Sequence, residues 1–277
     1  MRERLGSALF ERVAGNEAAD RRARVQQSQG PRWFAEDRPI RRVHADAAMF
    51  VGGLRALLLQ SLHPLAMAGV AGHSGYRGDP WGRLQRTSYF LALTTFGTAE
   101  DAEAAIARVR AIHQRVAGTA PDGRRYAASD PHLLRWVHLA EVDSFLLAHQ
   151  RYGAQPLDQA GRDGYVADTA RIASALGVLD PPTNQAQVRA ELEAFRPELT
   201  GTRQAREAAR FMLLQPPLPI AARPPYAVLG AAAIATLPRW ARWPLRLPYL
   251  PVAEATVIRL AGDGLVRTIR WAMAPAA

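Results

Sequence analysis

Between Glu100 and Gly118 the sequence reads EDAEAAIARVRAIHQRVAG, and its apolar residues recur with the period of an α-helix. Ala102, Ile106, Val109, His113 and Val116 follow one another at intervals of 4, 3, 4 and 3 positions. That places them on one face of a single helix, a face that must be buried against something. Thr98 is a natural N-cap, with Asp101 at the capping-box position. Glu100, Asp101 and Glu103 sit in the first turn, where the helix dipole favours them, and Gly118 is the expected C-cap. His113 therefore points where Ile106 and Val109 point. A buried imidazole needs a partner for each nitrogen. Two readings follow: a hydrogen-bonded core histidine, or a single axial ligand to a buried cofactor such as haem.

The same period recurs along the chain. Ala47, Val51, Leu54, Leu58 and Leu62 mark a helix over 46–62, stopped or kinked at His63 by Pro64. Asp79 and Pro80 cap a helix running to Phe96. Asp130 and Pro131 start another, to about Tyr152, with Leu134, His138, Glu141, Phe145 and His149 along one side. Helices are predicted over 160–176, ended by Gly177, and over 185–195 and 203–214. Between 119 and 131 a Pro121–Asp122–Gly123 turn allows at most one short hairpin. The expected fold is all-α, a single multi-helix domain of about nine to eleven helices by count of periodic segments. Residues 1–40 form an N-terminal arm, 41–215 the core, and 216–277 a C-terminal helical extension.

Composition excludes several chemistries. The chain has no cysteine, so thiolate nucleophiles, disulfides, iron–sulfur clusters and cysteine zinc sites are ruled out. All 35 basic side chains are arginine, and the net charge is +10. Such a charge attracts anionic surfaces, but the arginines are scattered and no nucleic-acid motif accompanies them, so no nucleic-acid partner is expected. The first residues, MRERLGSALFERVAG, lack the apolar run of a signal peptide, and no window offers ~20 uninterrupted apolar residues. The expected location is cytoplasmic. Trp240, Trp243 and Tyr249, interleaved with arginine and proline in PRWARWPLRLPYLP, suit either a peripheral membrane contact or a helical pair docked on the domain.

Candidate polar groups cluster around one apolar stretch. No acidic residue occurs between Asp46 and Asp79, which implies burial or a lipophilic pocket. His63 and His73 flank AMAGVAG, whose small residues admit a close neighbour, a helix or a flat ligand. Each is either a structural histidine or a pocket-lining one. Arg83 and Thr87 share a helix face, either as surface groups or as a guanidinium and a hydroxyl aimed into a cavity suited to a carboxylate, a propionate or bound oxygen. His132, His138 and His149 lack metal-cluster spacing.

The blocks LLLQSLHPLAMAGVAGHSGYRGDPWGRLQRTSYFLALTTFG, ARVRAIHQRVAG and YAASDPHLLRWVHLAEVDSFLLA, in this order, resemble the catalytic domain shared by rubber oxygenase (latex clearing protein) and the endoplasmic-reticulum-bound oxygenase mpaB. The resemblance runs from about Arg41 to Gly177, more weakly to the end. It implies an all-α, globin-like core holding haem b, and oxidative cleavage of isoprenoid double bonds with O2. The family's arginine–x–x–histidine matches Arg110 and His113, which makes His113 the implied axial iron ligand and Arg110 a supporting or propionate partner. Its arginine–x–x–x–threonine on the distal helix matches Arg83 and Thr87. Two departures stand out. Arg86 occupies the place of the rubber oxygenases' distal lysine, and Met67 lies near the place of their catalytic glutamate. An acid–base step then needs another group, with His63 and His73 as candidates. Together these features imply a haem b-dependent oxygenase acting on a lipophilic, isoprenoid or fatty, substrate with O2. The alternative is a non-catalytic helical protein that binds lipid or haem at a membrane surface.

Overall fold

The computed structural model describes residues 18–73 and 78–274. The start of the predicted arm and residues 74–77, just before the predicted cap at Asp79, lie outside the described residues. The described residues are all-α apart from one small hairpin. Its first helices are α1 (Ala18–Gln27), α2 (Pro39–Ala45), α3 (Met49–Gln60) and α4 (Pro64–His73). Pro64 breaks the apolar run as the sequence requires, and α4 leaves α3 at 107°. No single described helix is long and apolar enough to cross a membrane.

Caps then set the boundaries. Asp79 accepts from the Gly82 amide and opens α5 (Pro80–Phe96), and Thr98 accepts from the Asp101 amide and opens α6 (Ala99–His113). Asp130, Asp158, Asn184 and Thr202 do the same for α7 (Pro131–Tyr152), α8 (Gln159–Leu176), α9 (Gln185–Phe195) and α10 (Arg203–Leu214). Gly177, with φ of 108°, ends α8. The C-terminal extension comprises α11 (Arg223–Thr236), α12 (Arg239–Arg242), α13 (Pro251–Ala255) and α14 (Val257–Met273).

One expected boundary is corrected. The helix that begins at Thr98 ends at His113, not at Gly118. Gly118 instead sits in β1 (Ala117–Thr119), paired antiparallel with β2 (Arg125–Ala127) through Gly118 and Tyr126. The strand wins because Tyr126 fills the space beside Gly118. A Cβ there would lie 2.6 Å from the phenol oxygen. Tyr126 also packs against the glycines of α4, so the small residues of AMAGVAG receive this ring.

The core centres on α7, which crosses α3 closely at Gly52 against Phe145. Trp136 is fully buried and donates its indole N–H to the Gln60 carbonyl, 3.1 Å away. Arg55, also buried, is matched by Asp143 at 2.7 Å, Ser144 at 2.6 Å and the Thr236 carbonyl at 3.0 Å. A buried charge persists only when compensated in this way. The arm is tied down by Arg24 to Asp101 (2.8 Å), Arg38 to Asp168, and Arg32 to the Phe96 carbonyl.

Candidate functional site

Four helices bring polar side chains into the interior. From α2, His44 lies 2.8 Å from the Thr95 hydroxyl of α5 through Nδ1, and 3.2 Å from the Tyr165 hydroxyl of α8 through Nε2. From α7, one turn apart on the predicted stripe, come His138 and Glu141. Burial pushes His44 down to about 3 and His138 down to about 4, so both are neutral at physiological pH. Burial alone pushes Glu141 up to about 7, and burial, aided by the charges of Glu141 and Asp168, raises the Tyr165 hydroxyl well above its ordinary value. Yet His44, His138 and Glu141 each keep some accessible surface. The interior of the bundle therefore holds neutral imidazoles and a carboxyl poised near neutrality. His138 and Glu141 were visible in the sequence as members of the α7 stripe; their perturbation was not.

His113, at the last position of α6, is half-buried. Its Nδ1 is buried and has no hydrogen-bond partner, and burial lowers its pKa. It is thus a neutral imidazole with one uncommitted ring nitrogen. His138 Nε2 is likewise buried and unpartnered. Buried polar atoms without partners are rare; among the described residues Trp33 Nε1, His149 Nδ1 and Arg162 Nε are the others. A neutral imidazole is the form that binds iron, so this donor set fits a haem. Arg110 is exposed and donates to the Ala175 carbonyl of α8 at 3.2 Å, beside a groove of about 400 Å³ that Trp33, Ile106 and Gln114 also line. It clamps α6 to α8.

The remaining candidates are spread out. Arg83 is half-buried on α5; Thr87, one turn on, is exposed and donates its hydroxyl to the Arg83 carbonyl at 3.0 Å. Arg86 pairs with Asp79 at 3.1 Å on the surface. His73 is exposed, 3.1 Å from the Tyr126 hydroxyl. His63 is buried and faces Glu198, which it shares with His132. Met67 is buried in the core. Of the three C-terminal aromatics, Trp243 is 87% exposed, whereas Trp240 packs on the core and Tyr249 lies over Arg239 and Arg242.

Residues 41–271 match the profile of the family described as ER-bound oxygenase mpaB/B'/rubber oxygenase, catalytic domain. The match extends well past Gly177 into the C-terminal helices. Two uncharacterized proteins, one of Mycobacterium bovis and one of Mycobacterium tuberculosis, are each 33% identical to this chain over 100 residues. That covers 36% of this chain and 38% of the length of each relative. No solved structure matches.

Proposed function

The chain belongs to the mpaB/rubber oxygenase catalytic-domain family, and on that premise we propose that it is a haem b-dependent oxygenase acting with O2 on a lipophilic substrate of isoprenoid or fatty type. The observation that carries the reading is His113, a half-buried neutral imidazole whose buried Nδ1 has no hydrogen-bond partner among the described residues. His113 would hold the iron, with Arg110 bracing its helix against α8. Haem iron supplies O2 activation, chemistry no side chain of this chain provides. The chain's own part is to exclude water and to move protons. The apolar interior and its neutral histidines do the first. Glu141 suits the second better than the histidines at 63 and 73: it faces the interior and exchanges its proton near pH 7, where acid–base catalysis is most effective. Arg83 and Thr87 lie one turn apart on α5, a guanidinium and a hydroxyl suited to orient an anionic group or bound oxygen.

The alternative, a non-catalytic lipid- or haem-binding protein at a membrane surface, has its own support. Trp243, Val252, Val257 and Leu260 are all more than two-thirds exposed, beside the exposed Arg239, Arg246 and Arg259. An apolar surface rimmed by cations suits an anionic bilayer. The deciding experiment is a visible spectrum and pyridine haemochrome assay of protein expressed with ample haem, followed by O2 consumption with isoprenoid and fatty substrates. A Soret band with turnover supports the oxygenase. A Soret band without turnover on any such substrate favours the binding protein, and no haem at all overturns the cofactor.

A further inference from the structure

Three side chains distant in sequence meet at one point. His63 stands at the bend between α3 and α4, His132 in the first turn of α7, and Glu198 in the short 3-10 turn Arg196–Glu198 that follows α9. Glu198 Oε2 lies 3.4 Å from His63 Nε2 and 2.8 Å from His132 Nε2, and Oε1 lies 3.0 Å from the same His132 nitrogen. All three donor atoms fall within 4.8 Å of one another. We propose that His63, His132 and Glu198 form a binding site for one divalent transition-metal ion of the zinc type, separate from the iron ligand.

The spacing suits it. Zinc bonds of roughly 2.0–2.2 Å in tetrahedral geometry put neighbouring ligand atoms about 3.4 Å apart; the His63–Glu198 distance of 3.4 Å already matches, the His132–Glu198 contacts at 2.8 and 3.0 Å open by about half an ångström, and all the donor atoms start within 4.8 Å of one another. Two neutral imidazoles and one carboxylate bring a single negative charge to a dication, leaving the centre at +1 with one position for water. Exposure of the His132 and Glu198 side chains, 51% and 42%, gives an ion a way in.

The ligands are held before any ion arrives. His63 is 2% exposed, packed beside Trp136 and Phe195, and the His132 ring stacks on Phe195 at 4.6 Å. The Thr200 amide donates to the Leu62 carbonyl at 2.8 Å, which ties the Glu198 segment to the residue before His63. Rigid support of this kind distinguishes a site from a chance meeting of side chains. Arg124, the nearby cation that acts on His63, is already matched by Asp122 at 2.7 Å. Two local costs exist: His132 gives up its Nε2 hydrogen bonds to Glu198, and His63 gives up a contact of its own. A metal on Nε2 leaves the His63 proton on Nδ1, so the Ala66 amide gives up its contact there, which at 3.5 Å is the weakest hydrogen bond of the site.

The site predicts that an ion joins α4, α7 and the turn after α9. The test uses the full-length protein, stripped with chelator and titrated with zinc by calorimetry, and with cobalt(II) by visible absorption. Wild type is expected to bind one equivalent of zinc and to show the intense spectrum of tetrahedral cobalt. His132→Ala and Glu198→Gln, both partly exposed and therefore compatible with folding, are expected to weaken binding by at least about 100-fold, the upper end of what loss of an outer-shell partner costs. His113→Ala is expected to leave it unchanged. The proposal is overturned if wild type takes up no stoichiometric zinc, which would make the cluster a hydrogen-bonded His–Glu–His bridge only. It is also overturned if the two variants bind as wild type does, or if His113→Ala abolishes the cobalt spectrum.

Discussion

The carboxyl of Glu141 has a consequence for stability that can be measured without knowing the substrate. Its ordinary value of 4.5 is pushed up to about 7 by burial, with no charged partner offsetting the cost. At about 1.4 kcal/mol for each tenfold change, ionising Glu141 in the folded protein costs on the order of 3 kcal/mol more than in the unfolded chain. The sign follows from linkage. Between pH 4.5 and 7 the unfolded chain has lost this proton and the folded protein has kept it, so stability falls as pH rises through that window and levels off above about 7. Glu141→Gln preserves shape and removes the titration. Urea unfolding of both proteins at pH 5, 6, 7 and 8 should give a difference in stability that grows steadily in the variant's favour. It should approach roughly 3 kcal/mol, a large part of the ~5–15 kcal/mol that holds a domain together. The pH dependence of the difference is what matters, because it cancels any fixed packing effect of the amide. A difference that stays constant from pH 5 to 8 would refute the argument: Glu141 would then be solvated or paired.

Other outcomes follow from single contacts. His113→Ala should lower the haem-to-protein ratio sharply and remove the histidine-ligated spectrum, while His63→Ala and His73→Ala keep haem; the reverse pattern in a pyridine haemochrome assay would show that another histidine holds the iron. Gly201→Ala should destabilise the protein by about 2–4 kcal/mol in urea unfolding, because the new Cβ would lie 1.9 Å from the Pro244 carbonyl oxygen and backbone must move. Trp243→Ser should reduce flotation with anionic liposomes at low salt, and added salt should weaken flotation of the wild type; wild-type protein that never leaves the bottom of the gradient would remove the membrane contact from consideration.

What the sequence determined by itself was local. Helix starts at Asp79, Thr98, Asp130 and Asn184, the stop at Gly177 and the break at Pro64 are decided within a few residues, by side chains that bond the nearest backbone amides or by a ring that cannot accept helical geometry. The all-α class and the α7 stripe of His138 and Glu141 follow from periodicity, which needs no knowledge of what the face packs against. Tertiary structure decided what depends on distant neighbours. Gly118 looked like a helix cap and became a strand residue because Tyr126, across the hairpin, occupies the space beside it. Trp240 and Trp243 are alike in sequence, yet one meets the core and the other meets solvent. Glu141 reads as an ordinary helical glutamate until the bundle closes around it and removes its water. His63, His132 and Glu198 show no ligand spacing, because three separate segments carry them and only the packing of α4, α7 and α9 brings them within bonding reach. Caps and periods act through nearest neighbours along the chain; desolvation and convergence of donors act through space, and they exist only once the chain has folded.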